Sequence, residues 1–199
     1  NAVTLLCAAL APLAVEDLPL HPSAGLRLFL SRLGEGQDSL LAADLRAVLD
    51  VDSSDAALSR LPIDDKTRLS LRSLLRNSVS VTRLEAGSKI NVIPSEATAW
   101  IDGRLAPGQT QESFLQELRV LIGDRVEVDV DQYSPPLEAS ADAPMFRCIE
   151  EVMASVDPGV PVIPSLSTGG TDAKHIVPRR PQTQVYGFMP YKQSPGLEE

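Results

Sequence analysis

Cysteine, histidine, basic charge and long apolar runs are all scarce in this sequence, and each scarcity excludes a class of protein. Cys7 and Cys148 lie far apart with no other cysteine in the chain. Neither a disulfide framework nor a zinc ribbon can be built from them. The two histidines, His21 and His175, stand in no HExxH, His-x-Asp or paired-glutamate segment. The residues therefore offer no assembled metal site, no nucleophile–base pair and no Ser/His/Asp set. Lysine and arginine number 18 against 27 acidic residues, for a net charge of −9. A nucleic-acid binder needs a cationic footprint to displace counterions, so that partner is not expected. No apolar run reaches the length of a membrane span, so no membrane partner is expected either. The most apolar stretch, residues 3–15, has no basic residues ahead of it. Its Val3, Leu6, Cys7 and Leu10 fall at helical spacing, which reads as a helix stripe rather than a signal peptide. A reducing, cytoplasmic setting is the resulting expectation. The first residue is Asn1, without an initiator methionine, and both a processed chain and a fragment fit that start.

What the sequence does contain is helix, then strand, then a mixed segment. The 199 residues are 43% apolar, enough for a core in one large domain or two small ones. A first helix is predicted over about 2–12, stopping at Pro12. A leucine-rich helical insertion follows over about 18–77. There "GLRLFLSRLG" sets Leu26, Phe29, Leu30 and Leu33 on one face and ends on Gly34 as C-cap. "SLLAADLRAVL" repeats the pattern with Leu41, Leu45, Val48 and Leu49, and "DDKTRLSLRSLLRN" begins on acidic residues. The character then changes. "SVSVTRL" is rich in β-branched residues, and "EATAWIDGRL" alternates Ala97, Ala99 and Ile101 against Thr98, Trp100, Asp102 and Arg104, so both read as strands. Thr110 and Glu112 open a helix whose stripe is Phe114, Leu115, Leu118, Leu121 and Ile122, ended by Gly123. "VEVDVDQ" predicts a further strand with Val126, Val128 and Val130 inward. The sum is an α+β domain over 1–134, an antiparallel sheet with helices on one face.

"YSPPLEASAD" is a linker by composition and places a boundary near Ser134. Beyond it the pattern is α/β. Asp142 can cap a helix carrying Met145, Ile149, Val152, Met153 and Val156. "VPVIPS" and "QTQVYGF" read as strands, with "LSTGGTDAKHIV" a loop feeding a helix between them. Residues 135–199 are few for an independent core and are expected to belong to something larger.

Two stretches could carry chemistry. In "NVIPSEA", Pro94 lacks the N–H that a central ladder needs, and the bend it forces could aim the Asn91 amide out of the sheet. Arg104, on the polar face at a strand end, could clamp a carboxylate with two parallel hydrogen bonds. A simple turn and a surface ion pair with Asp102 or Glu96 account for the same residues, and in isolation they account for them better. In "STGGTDAKHI", hydroxyls and bare backbone at Gly169, Gly170, Thr171 and Asp172 precede a helix start. Such a loop can approach a ligand closely, and it can equally be a plain helix cap. It is no P-loop, because Lys174 stands at the wrong distance from the glycines.

Taken together, "GSKINVIPSEATAWIDGRLAPG", a helix, "STGGTDAKHI" and "VYGFMP" resemble the co-catalytic zinc exopeptidases and deacylases. These include carboxypeptidase S, the aminoacylases, acetylornithine deacetylase and succinyl-diaminopimelate desuccinylase. The likeness runs from about Leu69 to Pro190, and the leucine-rich insertion is most similar to the carboxypeptidase S branch. The resemblance implies that residues 1–134 are most of a ferredoxin-like lid, or dimerisation, domain. It implies that 135–199 are the last part of a zinc-exopeptidase catalytic domain, and that the chain pairs as a homodimer. Asn91 then matches the asparagine that reaches a substrate site across the dimer, and Arg104 the arginine that grips the substrate carboxylate. Gly169, Gly170, Thr171 and Asp172 match the segment lining the substrate pocket. The complete parent would be a hydrolase of small peptides or N-acyl amino acids using two zinc ions or other divalent metals. The metal ligands and catalytic glutamates would lie outside this segment, which is expected to hold no catalytic residue and no tightly bound metal. Lys174 departs from the family's more common arginine, and no HGxxE-like histidine follows the last strand. The alternative is a non-catalytic assembly or small-ligand-binding module.

Overall fold

The structure is a computed structural model and describes residues 1–188. Among them are eight α-helices, two short 3-10 turns and one two-stranded antiparallel sheet. The chain divides into two compact units. The first joins Asn1–Pro19, Arg76–Leu105 and Gln109–Pro135, and the second joins Leu20–Leu75, Ala106–Gly108 and the chain from Pro136 onward.

In the first unit, helix α1 (Ala2–Leu10) opens on Asn1, whose Oδ1 accepts from the Thr4 amide at 2.9 Å. Pro12 then sits in a single 3-10 turn, Ala11–Ala14, where its missing N–H costs nothing. Strands β1 (Ser78–Ala86) and β2 (Ala97–Arg104) form the hairpin. Helix α6 (Gln111–Ile122) is capped by Thr110, with Thr110 and Ser113 exchanging side-chain-to-backbone bonds in a capping box. Ala9, Leu18, Phe114, Leu118 and Ile122 make the core, against which Val79 of β1 also packs. The ladder carries one bulge: Thr82 has no partner between the Val81–Ile101 and Arg83–Trp100 pairs. The extra residue flips the facing of the strand beyond it, so the Arg83 guanidinium lies 4.4 Å over the Trp100 ring.

Gly103 is the tightest point of this unit. A Cβ there would stand 2.5 Å from Cζ of Phe114, a ring fixed in the core. Gly103→Ala is therefore expected to cost about 1–3 kcal/mol by overpacking. Urea unfolding should show a lower midpoint at unchanged slope, and adding Phe114→Leu should recover part of the loss.

The second unit is built on the leucine-rich insertion. Helix α2 (Ala24–Gly34) is capped by Ser23, and α3 (Ser39–Ala47) by Asp38, which accepts from the Leu40 and Leu41 amides. Helices α4 (Ser54–Arg60) and α5 (Asp65–Leu75) complete the set. Asp64 accepts from the Thr67 hydroxyl at 2.7 Å and its amide at 2.8 Å, which hold the carboxyl below its ordinary pKa. The core joins Leu26, Leu30, Val48, Leu58 and Leu75 among others. Helices α7 (Pro144–Val156) and α8 (Ala173–Ile176) follow in the same unit.

Several expectations need correction. "VEVDVDQ", residues 126–132, forms no strand, because β2 pairs with β1 alone and no ladder partner reaches the segment among the described residues. Its alternation survives as packing: Val126 and Val128 meet the core while Val130 stays exposed. "VPVIPS" is not a strand either. Pro161 and Pro164 remove two of its six donors, and the Val162 carbonyl is taken by Arg32 at 2.7 Å. "QTQVYGF" is held by side chains instead of a ladder, with the Gln184 Oε1 and Tyr186 hydroxyl bonded to the Ser140 amide and carbonyl. The expected ferredoxin-like sheet is thus one hairpin here. Gly34 lies inside α2, and the left-handed residue after it is Gly36. Asp142 does not cap α7, which starts on Pro144. The buried residue of α7 is Phe146, turned toward Tyr186 and Arg32, while Met145, Val152 and Val156 are exposed.

Candidate substrate-binding site

Asn91 lies in the ten-residue connection between β1 and β2 and is exposed. Gly87 starts that connection with a φ of +66°, and a Cβ there would stand 3.1 Å from Pro94 Cγ. Glycine and proline thus close the base of the loop together. Beyond them the Val92 amide donates to the Lys89 carbonyl at 3.4 Å, giving a turn with Asn91 inside it. Its neighbours Ile90, Val92 and Ile93 are all exposed, so the hairpin carries an apolar tip.

Arg104 is the last residue of β2. Its Nε donates to Asp102 Oδ2 at 3.0 Å, and its side chain is 62% exposed. Asp102 and Arg104 share the outer face, opposite the Gly103 that meets Phe114, and their contact is the surface ion pair that the strand spacing allows. Asn91 and Arg104 are not brought together within one chain. They stand toward opposite ends of β2, Asn91 in the connection that precedes Ala97 and Arg104 at the last residue. The strand between spans about 23 Å at the ordinary rise of ~3.3 Å per residue.

The glycine loop belongs to the second unit. The Gly169 amide donates to Ser167 Oγ at 3.1 Å, and the Ala173 amide to Thr171 Oγ1 at 3.0 Å. Thr171 thus closes a side-chain turn just ahead of the one-turn α8, whose N-cap residue Asp172 makes no side-chain cap bond. Gly169, Gly170, Thr171 and Asp172 are all exposed. Neither glycine has a left-handed φ, and a Cβ on Gly170 would meet nothing within 4 Å. Backbone conformation and internal packing thus leave both positions open to a side chain. The loop's anchor went unnoticed in the sequence: Leu166, just ahead of Ser167, packs against the helical core of this unit. A single leucine between two serines was the available signal.

Among the described residues, no group of three or more His, Cys, Asp or Glu is placed to hold a metal. The donor set among the described residues does not fit a dinuclear zinc centre. No helix among the described residues is long and apolar enough to cross a membrane. Cys7 and Cys148 are both free and exposed.

With the hairpin, the strand-end arginine and the loop in place, the chain can be set beside known proteins. Residues 1–130 match the model of the peptidase dimerisation domain, and the chain belongs to that family. It is 33% identical over 124 residues to the N-fatty-acyl-amino acid synthase/hydrolase of Xenopus tropicalis, covering 61% of this chain and 24% of that protein. Its likeness to the Bos taurus protein of the same name is 33% over 123 residues, covering 59% and 24%. A probable carboxypeptidase S-like protein of Dictyostelium discoideum is 30% identical over 112 residues, covering 55% and 22%. The matches span about a quarter of the length of these relatives. No solved structure matches the chain.

Proposed function

We propose that this chain is the dimerisation and substrate-carboxylate-binding portion of a cytoplasmic, metal-dependent hydrolase of N-acyl amino acids and small peptides. The observation that carries the reading is Arg104, paired with Asp102 at the end of β2 within a peptidase dimerisation domain. A guanidinium at a strand end can recognise a carboxylate by two charge-assisted bonds. The relatives' name, N-fatty-acyl-amino acid synthase/hydrolase, supports acylated amino acids as the substrate class. The separation of Asn91 from Arg104 supports a homodimer in which the hairpin tip of one protomer serves its partner. The exposed Ile90, Val92 and Ile93 suit such a tip. The glycine loop lines the pocket, its bare backbone leaving room for substrate. Divalent metal ions, where the complete enzyme binds them, would be held by residues outside 1–188 and would supply Lewis-acid chemistry there.

The test is hydrolysis by the full-length parent. An N-acyl amino acid with a free carboxylate should be cleaved about 100-fold more efficiently than its carboxamide, because the amide leaves a charged donor pair unmatched. Equal kcat/KM values, or no amide hydrolysis with metal supplied, would reject the reading in favour of an assembly module.

A further inference from the structure

The helical unit contains a cavity that the hairpin, the strand-end arginine and the glycine loop do not use. Its volume is about 110 Å³. Leu30, Leu45 and Leu71, all buried, form its floor, and the half-buried Leu33, Leu41 and Leu74 form its walls. Gln37 and Ser70 also line it and are exposed, so polar groups stand where the lining meets solvent. A cavity with so few polar partners does not hold ordered water. For scale, an engineered cavity of about 150 Å³ lined by leucine, isoleucine and phenylalanine stays dry and binds benzene. The lining offers a charged amino-acid headgroup almost no polar partner, while the volume takes several methylenes of an unbranched chain. A dry floor under a polar rim is the shape an amphiphile fills, alkyl end inward and polar end outward.

The cavity also bears on the substrate loop. Leu166, the anchor of Ser167–Asp172, packs against the same leucine cluster into which the cavity is cut. We infer that this cavity is an alkyl-chain site, receiving the methylenes of a fatty carboxylate. The site rests on the lining.

The experiment uses the full-length parent, with 13C-methyl leucine labelling, and fatty carboxylates from hexanoate to dodecanoate as probes. Affinity should rise about three- to fourfold per added methylene and then level once the cavity is full. Nuclear Overhauser contacts should join the terminal methyl of bound decanoate to the methyls of Leu33, Leu41 and Leu74. Leu74→Trp and Leu41→Phe, each filling the space, should weaken decanoate binding at least tenfold with an unchanged far-ultraviolet spectrum. Contacts confined to other leucines, such as Leu84, would overturn the site. So would the absence of saturable binding at every chain length. If a filling variant fails to fold, the contact map of the unaltered chain still decides. Because no hydrolysis is measured, decanoate in the cavity of a protein that cleaves no acyl amide would sustain the site and reject the hydrolase reading. The converse result would reject the site alone.

Discussion

Arg104→Ala in the full-length parent is expected to lower kcat/KM for a carboxylate-bearing substrate by about 100- to 1,000-fold. Each hydrogen bond to a charged group contributes roughly 1.5–3 kcal/mol, and a bidentate clamp loses two of them. Two such bonds sum to about 3–6 kcal/mol. Water partly replaces the lost donors, so the expected loss is the lower part of that sum, about 3–4 kcal/mol at 1.4 kcal/mol per factor of ten. Arg104→Lys should recover only part of the loss, since an ammonium is a point charge and cannot make the parallel pair. The fold should tolerate both changes. The side chain is largely exposed, and its bond to Asp102 lies on the outer face, where an ion pair contributes at most about 1 kcal/mol. A steady-state assay of three proteins on one substrate is sufficient. A loss below about fivefold would remove Arg104 from the site.

Leu75→Ala should produce the largest loss of stability. Leu75 has no exposed surface and ends α5 in the middle of the helical core. Its carbonyl accepts from the His21 amide at 2.6 Å, which ties α5 to the chain leading into α2. Removing a wholly buried leucine side chain costs about 2–5 kcal/mol, through lost transfer energy and the void left behind. The functional consequence follows from Leu166. A loosened cluster should release the glycine loop, so the amides of Gly169 and Ala173 should exchange faster in the variant. Urea unfolding and hydrogen exchange read the two effects separately. A midpoint unchanged by the substitution would mean that the cluster does not hold this unit together.

Helices were far more legible in the sequence than strands, for a physical reason. A helix is specified by residues within one turn of each other, so Thr110, Glu112 and the stripe from Phe114 to Ile122 announce α6 without outside help. A strand is completed by whatever pairs with it. The valines at 126, 128 and 130 alternate as cleanly as any stretch in the chain, yet without a ladder partner they form no strand. β1 and β2 succeed because they pair with each other across one loop. Helix α7 shows the limit of periodicity. Its apolar spacing pointed to Met145, Val152 and Val156, whereas the buried residue is Phe146, packed by Arg32 and Tyr186. The Asp102 partner of Arg104 was readable because both residues lie two apart on one strand face. The leucine cavity was not, since a gap among leucines depends on how three helices meet.

The most direct measurement is a cycle of two changes, one on each side of the clamp. The full-length parent and its Arg104→Ala variant are assayed on an N-acyl amino acid and on the corresponding carboxamide. The expected result is a preference of about 100-fold for the carboxylate in the parent that shrinks to a few-fold in the variant. A preference that survives removal of the guanidinium would contradict the assignment, because some other group would then be reading the substrate's charge.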